Sequence, residues 1–470
     1  MMTNVTRRSG EGSVEDALRL LENSNARLVS IFGSVGDDGA KHVHYIVDLN
    51  REYHCADSLV RGAISSATKI MPAAAWYERE LHDQYGIEID GHPDLRPLIV
   101  HPREYRFLQA QGVGVCEVPV GPVHAGIIEP GHFRFSVVGD TVLHLELHHF
   151  YTHKGTEKLF EGIPIMSGPI VAECVSGDNC FSHAVAYCQS VENAFGISVP
   201  PRGRAIRLIG LELERMMAHI GDVGALCGDI GCTVPAAYTS RIKESLLLAS
   251  TRFFNTRYWR GIAIPGGVRH DLSAEDAREL AKVVAHAAAD FAEMACIILD
   301  APSVQNRFEG TGVLSSDIAR DLAAVGPVAR ASGIKIDVRH DHPYGQYRRT
   351  TIEVPHYKHG DVLARAHIRI EETRVSARLI QDTLNELAAG IICAPLPGSA
   401  NTEGFSAVES PRGELLYWIR IRNGHIARCH IRSPSFQNWP ILPFAMPGNI
   451  IADFPLINKS FNLSYSGCDR

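Results

Sequence analysis

The sequence predicts an α+β fold: a small N-terminal α/β domain, then a large, mainly helical domain with small β elements at both ends. Three observations predict it. Long apolar stripes recur every three to four residues over 181–195, 203–228, 238–259, 273–298 and 370–389, the pattern of helices with one buried face. Shorter alternating runs flank them, and two of these, Glu414–Arg422 and His425–Ile431, meet at Asn423-Gly424, a strong hairpin signal. Finally, 470 residues with 45% hydrophobic and 21% charged side chains suffice for two or three domains around a sizeable core.

Residues 1–12 are polar and Gly-rich and read as a frayed tail. Val14, Leu18, Leu20, Leu21 and Leu28 then recur at helical spacing behind the candidate cap Ser13, which predicts a helix over 14–32. His42–Leu49 alternates as a strand, with Val43, Tyr45 and Val47 on one face. A second amphipathic stretch covers about 56–70, and the small domain closes near residue 102. Residues 103–118 have scattered Gly and little periodicity, which suits a linker or extended arm. Phe133–Leu147 alternates around Gly139-Asp140 and reads as a hairpin at the start of the large domain, 119–470.

Several function classes are excluded. A net charge of −7 does not suit nucleic acid, whose phosphates call for clustered Lys and Arg. No run of about 18 apolar residues offers a transmembrane helix, and the first residues lack the apolar stretch of a signal peptide. The expectation is a cytoplasmic protein, free or docked on a membrane complex. Neither a Walker-type phosphate loop nor a Gly-x-Gly-x-x-Gly turn occurs, so NADH is not expected to bind this chain.

The chemistry-bearing residues are mostly thiols and imidazoles. Among the 11 cysteines no Cys-x-x-Cys pair exists, and five residues separate Cys174 from Cys180. Buried apolar thiols and metal ligands are both open readings. Of 23 histidines, His124, His132, His144, His148, His149 and His153 crowd into one stretch. Because imidazole titrates near neutrality they suit a proton relay or a metal cluster, or simply lie on exposed strand faces.

Two longer motifs carry a resemblance. Tyr77-Glu78-Arg79-Glu80-Leu81-His82-Asp83, continued by Gly91-His92-Pro93-Asp94-Leu95-Arg96, resembles the signature of the 30 kDa subunit of respiratory complex I, whose residues there dock neighbouring subunits. Glu129-Pro130-Gly131-His132-Phe133-Arg134-Phe135, Phe181-Ser182-His183-Ala184, Glu212-Leu213-Glu214-Arg215, Asp337-Val338-Arg339, Glu409-Ser410-Pro411-Arg412-Gly413 and Arg432-Ser433-Pro434-Ser435-Phe436 resemble the large subunit of membrane-bound (group 4, formate hydrogenlyase or hydrogenase-4 type) nickel–iron hydrogenases and its homologue, the 49 kDa subunit of complex I. Together they cover about 40–470 in the order of a fused pair.

In such hydrogenases two Cys-x-x-Cys pairs hold the metals through soft thiolates. The alignment implied by the resemblance puts Ser176 and Asn179 at the first pair and Ser464 and Gly467 at the second. Cys180 and Cys468 stand one residue beyond a ligand position. No nickel site is therefore implied. The sequence closes at Cys468-Asp469-Arg470 without a cleavable tail, so no nickel-dependent maturation is implied either. The complex I relative binds a quinone through a tyrosine, replaced here by Gly177, and a hairpin histidine, whose counterpart is His132. Asp178 and His183 stand ready as a proton relay, or Asp178 caps the helix that begins near Phe181. Glu157 matches an acidic cavity residue: a buried glutamate with a raised pKa on a proton path, or an ion pair with Lys158 or Arg134. Asp337 and Arg339 read as a structural pair.

The resemblance thus implies a subunit of a membrane-associated respiratory complex. It would bind no cofactor itself, would dock a small subunit carrying a 4Fe-4S cluster, and would take part in electron transfer to a quinone or similar acceptor. Its other partners would be antiporter-like and quinone-channel-like membrane subunits. It would sit peripherally on the cytoplasmic face of the inner membrane. The alternatives are a non-catalytic scaffold that couples the iron–sulfur subunit to ion pumping, and a hydrogenase with other ligands.

Overall fold

A computed structural model describes residues 5–9, 14–23, 25–124, 128–398 and 400–470. Runs rich in Val, Ile and Tyr build the N-terminal sheet. Its strands run in the order Val5–Ser9, Glu52–Leu59, Lys41–Leu49, Ala26–Val35, the first pair parallel and the others antiparallel. The helices Val14–Leu21 and Ala75–Tyr85 pack on it.

Three expectations fail here. The helix expected over 14–32 stops at Leu21, and Ala26–Val35 is a strand. Leu28, counted toward the helical stripe, belongs to the run Leu28-Val29-Ser30-Ile31-Phe32, which is buried along its whole length and so shows no alternation. Val5–Ser9 is an edge strand rather than a frayed tail; residues 1–4 and 10–13, the cap Ser13 among them, lie outside the described residues. The stretch 56–70 holds no helix: Glu52–Leu59 ends inside it and Ile64–Ser65 pairs with Ile89–Asp90.

The helix Ala75–Tyr85 shows what its charged motif does locally. Glu78 is buried and accepts from the Ser66 hydroxyl and the Ala67 amide, both at 2.6 Å. Burial pushes its carboxyl up to about 7. Arg79 donates to the carbonyls of Arg96 and Pro97 at 2.7 and 2.9 Å, and Asp83 accepts from the Leu98 and Ile99 amides. These residues therefore fasten the Gly91–Arg96 loop within the chain.

In the large domain, Val115–Val120, expected in the connecting arm, forms a three-stranded sheet with the expected hairpin, His132–Val138 and Thr141–His148. The helical body follows the apolar stripes closely: Cys180–Phe195, Pro201–Asp229, Thr233–Phe254, Ala274–Asp300 and Val362–Asn385. A second three-stranded sheet, Thr402–Ser410, Gly413–Arg422 and His425–Arg432, is turned at Asn423-Gly424, where φ is +49° and +76°. Thr402–Ser410 is a strand that the alternation pattern does not signal, and short helices follow from Pro434 to Asp469.

The two units are joined through this second sheet. Glu414 receives a bidentate pair from Arg27 of the N-terminal sheet at 2.6 and 3.0 Å, a hydroxyl from Tyr53 at 2.6 Å, and Arg432. Burial opposes its ionisation, but Arg27 and Arg432 override it and hold the carboxyl well below the usual range. Nearby, Phe32 is stacked between His44 and His430, with centroids at 4.7 and 4.1 Å, and His430 Nε2 shares a hydrogen bond with Ser30 at 2.8 Å.

Replacing Glu414 by alanine leaves Arg432 in the joint without a carboxylate and Arg27 with Asp48 alone. Glu414→Ala is expected to cost about 3–5 kcal/mol in denaturant unfolding and to expose the 14–102 unit to limited proteolysis. A loss under about 1 kcal/mol, the value of a surface pair, would show that the joint does not rest on this charge.

Candidate functional site

The site forms where four segments converge: the loop before Cys180, the first turn of the Cys180–Phe195 helix, the turn after Ser410, and the short helix Tyr465–Asp469. The turn is fixed by a backbone crossing. Gly413 has φ of +126°, and a Cβ there would lie 2.6 Å from the Gly326 nitrogen, so only glycine fits. This aims Arg412 inward, where its guanidinium pairs with Asp178, reaches Asn179 Oδ1 at 3.3 Å and donates through Nε to the Asn462 carbonyl. Ser176 Oγ lies 3.1 Å from Ser464 Oγ, and Ser464, the N-cap of the last helix, accepts from the Gly467 amide at 2.9 Å. A Cβ on Gly467 would lie 3.5 Å from the Ser176 Cβ. The positions 176, 179, 464 and 467 therefore do come together, but as two hydroxyls, an amide and a bare backbone tied to each other and to Arg412.

Asp178 does not cap the Cys180–Phe195 helix. Asn179 holds the cap position without a side-chain bond, and the acceptors come from Glu214 of the next helix, which takes the Phe181 and Ser182 amides at 2.8 and 3.0 Å and the Ser182 hydroxyl. Burial dominates these bonds and pushes the Glu214 carboxyl up to about 7. Asp178 behaves oppositely: its crowded setting resists ionisation, but Arg412 prevails and holds it at about 2, with 59% of the side chain open. The two carboxyls line a cavity of about 50 Å³ with Cys180, Asp222 and Lys243, room for a few waters.

Nor do Asp178 and His183 form a hydrogen-bonded relay. His183 Nδ1 meets the Tyr417 hydroxyl at 2.9 Å, and burial drives the imidazole down to about 3, so it is neutral. His132 shares Nδ1 with the Gly121 carbonyl at 3.2 Å; its Nε2 is buried without a partner, and burial lowers its pKa. His132 faces His148 across the hairpin, and burial takes His148 and the neighbouring His149 down to about 3. Of the six clustered histidines, His132, His148 and His149 are thus buried, His124 and His144 half-buried and His153 exposed, and among the described residues no cluster of three or more His, Cys, Asp or Glu is placed to hold a metal.

Glu157 departs from the expectation of a raised pKa. It pairs with Arg428 at 2.7 Å, His430 at 3.0 Å and Arg470 at 3.2 Å, not with Lys158 or Arg134. Burial disfavours its charge, but Arg428 and His430 more than offset this and hold it well below the usual range. Arg470 also pairs with Glu80 at 2.6 Å, carrying the N-terminal motif into the same cluster. Lys158 instead meets Glu161, and Arg134 lies near Glu117.

The model of the respiratory-chain NADH dehydrogenase 49 kDa subunit matches residues 229–399 and 397–470, and that of the 30 kDa subunit matches 12–109. The chain belongs to the 49 kDa subunit family. It is 32% identical over 442 residues to hydrogenase-4 component G of Escherichia coli, covering 86% of this chain and 75% of that one. It is 30% identical over 403 residues to NADH-quinone oxidoreductase subunit 4 of Thermus thermophilus, covering 80% and 98%. In fold it matches a chain of an archaeal membrane-bound sulfane sulfur reductase with a TM-score of 0.72 at 24% identity, over 76% of this chain and 99% of that one. Among the described residues no helix is long and apolar enough to cross a membrane.

The family motifs converge behind this site in a buried charge lattice. Glu212 meets Arg339 at 3.1 Å and Arg215 at 3.3 Å, and accepts from Tyr347 at 2.5 Å and Ser376 at 2.6 Å. Asp337 meets Arg339 at 2.7 Å, the pair expected from the sequence; Glu372 meets Arg330 at 2.7 Å and His219 at 2.8 Å; Glu409 meets Arg330 at 2.9 Å. Four carboxylates (Glu212, Asp337, Glu372, Glu409) thus face three guanidiniums (Arg215, Arg330, Arg339), leaving the lattice one proton short of neutral. Burial and neighbouring Asp337 raise Glu409 to about 7, which places that proton there.

Sequence reading quoted Glu214, Arg412 and Glu409 inside motifs without giving them a role, and passed over Tyr417. The Glu-x-Glu-Arg spacing at 212–215 was a usable signal, since it sends Glu212 and Glu214 to different sides of one buried helix.

Glu214 is protonated in the fold well above the range in which an unfolded glutamate ionises. Between about pH 4.5 and 7 the unfolded chain therefore binds fewer protons, and Glu214 lowers stability as pH rises through that window. Relative to the parent, Glu214→Gln should gain stability progressively from pH 4.5 to 7 in denaturant unfolding. A difference that stays constant across the window would show that Glu214 is ionised in the fold.

Proposed function

We infer that the chain is the subunit of a membrane-associated respiratory complex that docks an iron–sulfur small subunit and takes part in electron transfer to a quinone or similar acceptor, without a nickel–iron site. The observation that carries this reading is the closed set of side chains at positions 176, 179, 464 and 467. The residues present do not fit a nickel–iron group: soft thiolates are required, whereas Ser176 and Ser464 are hard oxygen donors bonded to each other, Asn179 holds Arg412, and Gly467 has no side chain. Neighbouring thiols offer no substitute. Cys180 donates to the Tyr258 carbonyl at 3.0 Å and burial holds it up at about 12, and burial raises buried Cys468 as well.

The acceptor side rests on His132, whose Nδ1–H goes to the Gly121 carbonyl and whose unpartnered Nε2 is left to accept from a hydroxyl of the reduced acceptor, and on Gly177, where an added Cβ would meet only Arg260 at 3.9 Å. Asp178 stays anionic and Glu214 titrates near neutrality beside it, so a proton delivered to a bound acceptor would come through Glu214 rather than through Glu157 or His183. The reading assigns the 4Fe-4S cluster to the small subunit, which the lack of any Cys-x-x-Cys pair in this sequence supports. The names of the relatives, membrane-bound hydrogenases and NADH-quinone oxidoreductases, support a place beside antiporter-like and quinone-channel-like membrane subunits, peripheral on the cytoplasmic face of the inner membrane. The second reading, a scaffold without turnover, is favoured by the ion-paired state of Glu157 and Asp178.

Elemental analysis of the complex purified with its native partners tests the reading. About four irons per cluster-bearing complex and no nickel are expected, and stoichiometric nickel would overturn it. His132→Ala should lower quinone reduction by the reduced complex by about 10- to 100-fold, the worth of one lost hydrogen bond to the acceptor. A complex whose cluster reduces normally but that never reduces a quinone, before or after the substitution, is the scaffold.

A further inference from the structure

A second cleft, independent of the site above, opens between the Cys180–Phe195 helix, the first turns of Pro201–Asp229 and the turn Gly345–Arg349. Its volume is about 240 Å³, several times that of the cavity beside Glu214. One wall is apolar, made by Val185, Ile197, Leu208 and Leu211, and Gln189 and Ser198 add polar groups. The charges are lopsided. Glu192 is the one carboxylate among the residues that line it, and it is consumed by Arg207, which holds it with two bonds at 2.5 and 2.9 Å and spends its other donors on the Ile264 and Gly267 carbonyls. Arg204 and Arg348 also face the cleft, with Arg349 next in the chain.

Arg204 carries the clearest mark. Its Nε is buried and has no hydrogen-bond partner, although guanidinium donors are costly to desolvate unpaired. Its surroundings add to the strain: burial and the like charges of Arg349 and Arg348 all lower its pKa. Two guanidiniums that line one cleft beside an apolar wall are suited to an anion whose remainder is hydrophobic.

We propose that this cleft is a binding site for a phosphate or carboxylate carried on a short apolar body, with the anion between Arg204 and Arg348 and the apolar part along Val185, Leu208 and Leu211. The floor of the cleft is Tyr347, whose hydroxyl donates to Glu212, so the occupant rests on the lid of the buried charge lattice.

The test is calorimetric titration of the complex containing the full chain with hexyl phosphate, inorganic phosphate and hexanol, for the parent and for Arg204→Gln, Arg204→Glu and Arg348→Glu. Unfolding midpoints are measured alongside, because Arg204 is half-buried and a glutamate there changes packing as well as charge. The expected result is saturable hexyl phosphate binding in the parent, weakened at least about tenfold in each variant that keeps the parental midpoint. Hexanol should show no dependence on Arg204. Hexyl phosphate binding that is absent at millimolar concentration, or unchanged in Arg204→Gln and Arg348→Glu, overturns the site. Inorganic phosphate binding as tightly as hexyl phosphate overturns the role of the apolar wall. Flotation with phosphatidylcholine vesicles containing phosphatidate distinguishes the sources: flotation that depends on Arg204 places the anion on a lipid headgroup, and calorimetric binding without it places the anion on a soluble molecule.

Discussion

The structure depends on keeping every buried charge compensated, and Glu414 is where that constraint is most visible. A carboxylate withdrawn from water is tolerated only with partners on all sides, and Arg27, Arg432 and the Tyr53 hydroxyl provide them from two different parts of the chain. The N-terminal sheet therefore docks in one place, because a displaced sheet would leave Glu414 and Arg432 without their third member. Glu157 repeats the arrangement with Arg428, His430 and Arg470, and Glu80 extends it to the helix Ala75–Tyr85. The two clusters pin neighbouring strands of the same C-terminal sheet, so the N-terminal sheet is held rigidly against the large domain, whose own segments build the site.

That rigidity explains the division of labour among the carboxyls. Where a guanidinium outweighs burial, as for Asp178 and Glu157, charge is retained and the group is locked, whereas at Glu409 burial and neighbouring Asp337 outweigh Arg330. Where only neutral donors are in reach, as for Glu214 and Glu78, burial wins and the group keeps its proton to near neutrality. Both kinds occur within one site, Asp178 and Glu214 lining the same small cavity, and two things separate them: Asp178 is ion-paired with Arg412 and is largely open, whereas Glu214 is buried.

Much of this was legible in the sequence. The five long helices appear where apolar residues recur every three to four positions, because each buries one face. The hairpins at Gly139-Asp140 and Asn423-Gly424 appear because turn chemistry is local. Ala26–Val35 was not legible, since a strand buried on both faces loses its alternation and Leu28 prolongs the stripe of the helix before it. The convergence of 176, 179, 464 and 467 was readable through family motifs. The partners of Glu157 and the capping of Phe181 by Glu214 were not, because they join residues far apart in the chain whose contacts no local pattern encodes.

Gly177 and its neighbours set unequal distances to the two chemistries named among the relatives. At Gly177 an added Cβ would meet only Arg260 at 3.9 Å, so a change to alanine would displace nothing. At Ser176, Asn179, Ser464 and Gly467 the polar groups already serve neighbours, and four simultaneous replacements would have to dissolve the Ser176–Ser464 contact and release Arg412 before any one of them helped. Drift can therefore readily reshape the space beside Asp178, while any route to four thiolates at the other positions crosses a valley in which each step first breaks contacts the fold already uses.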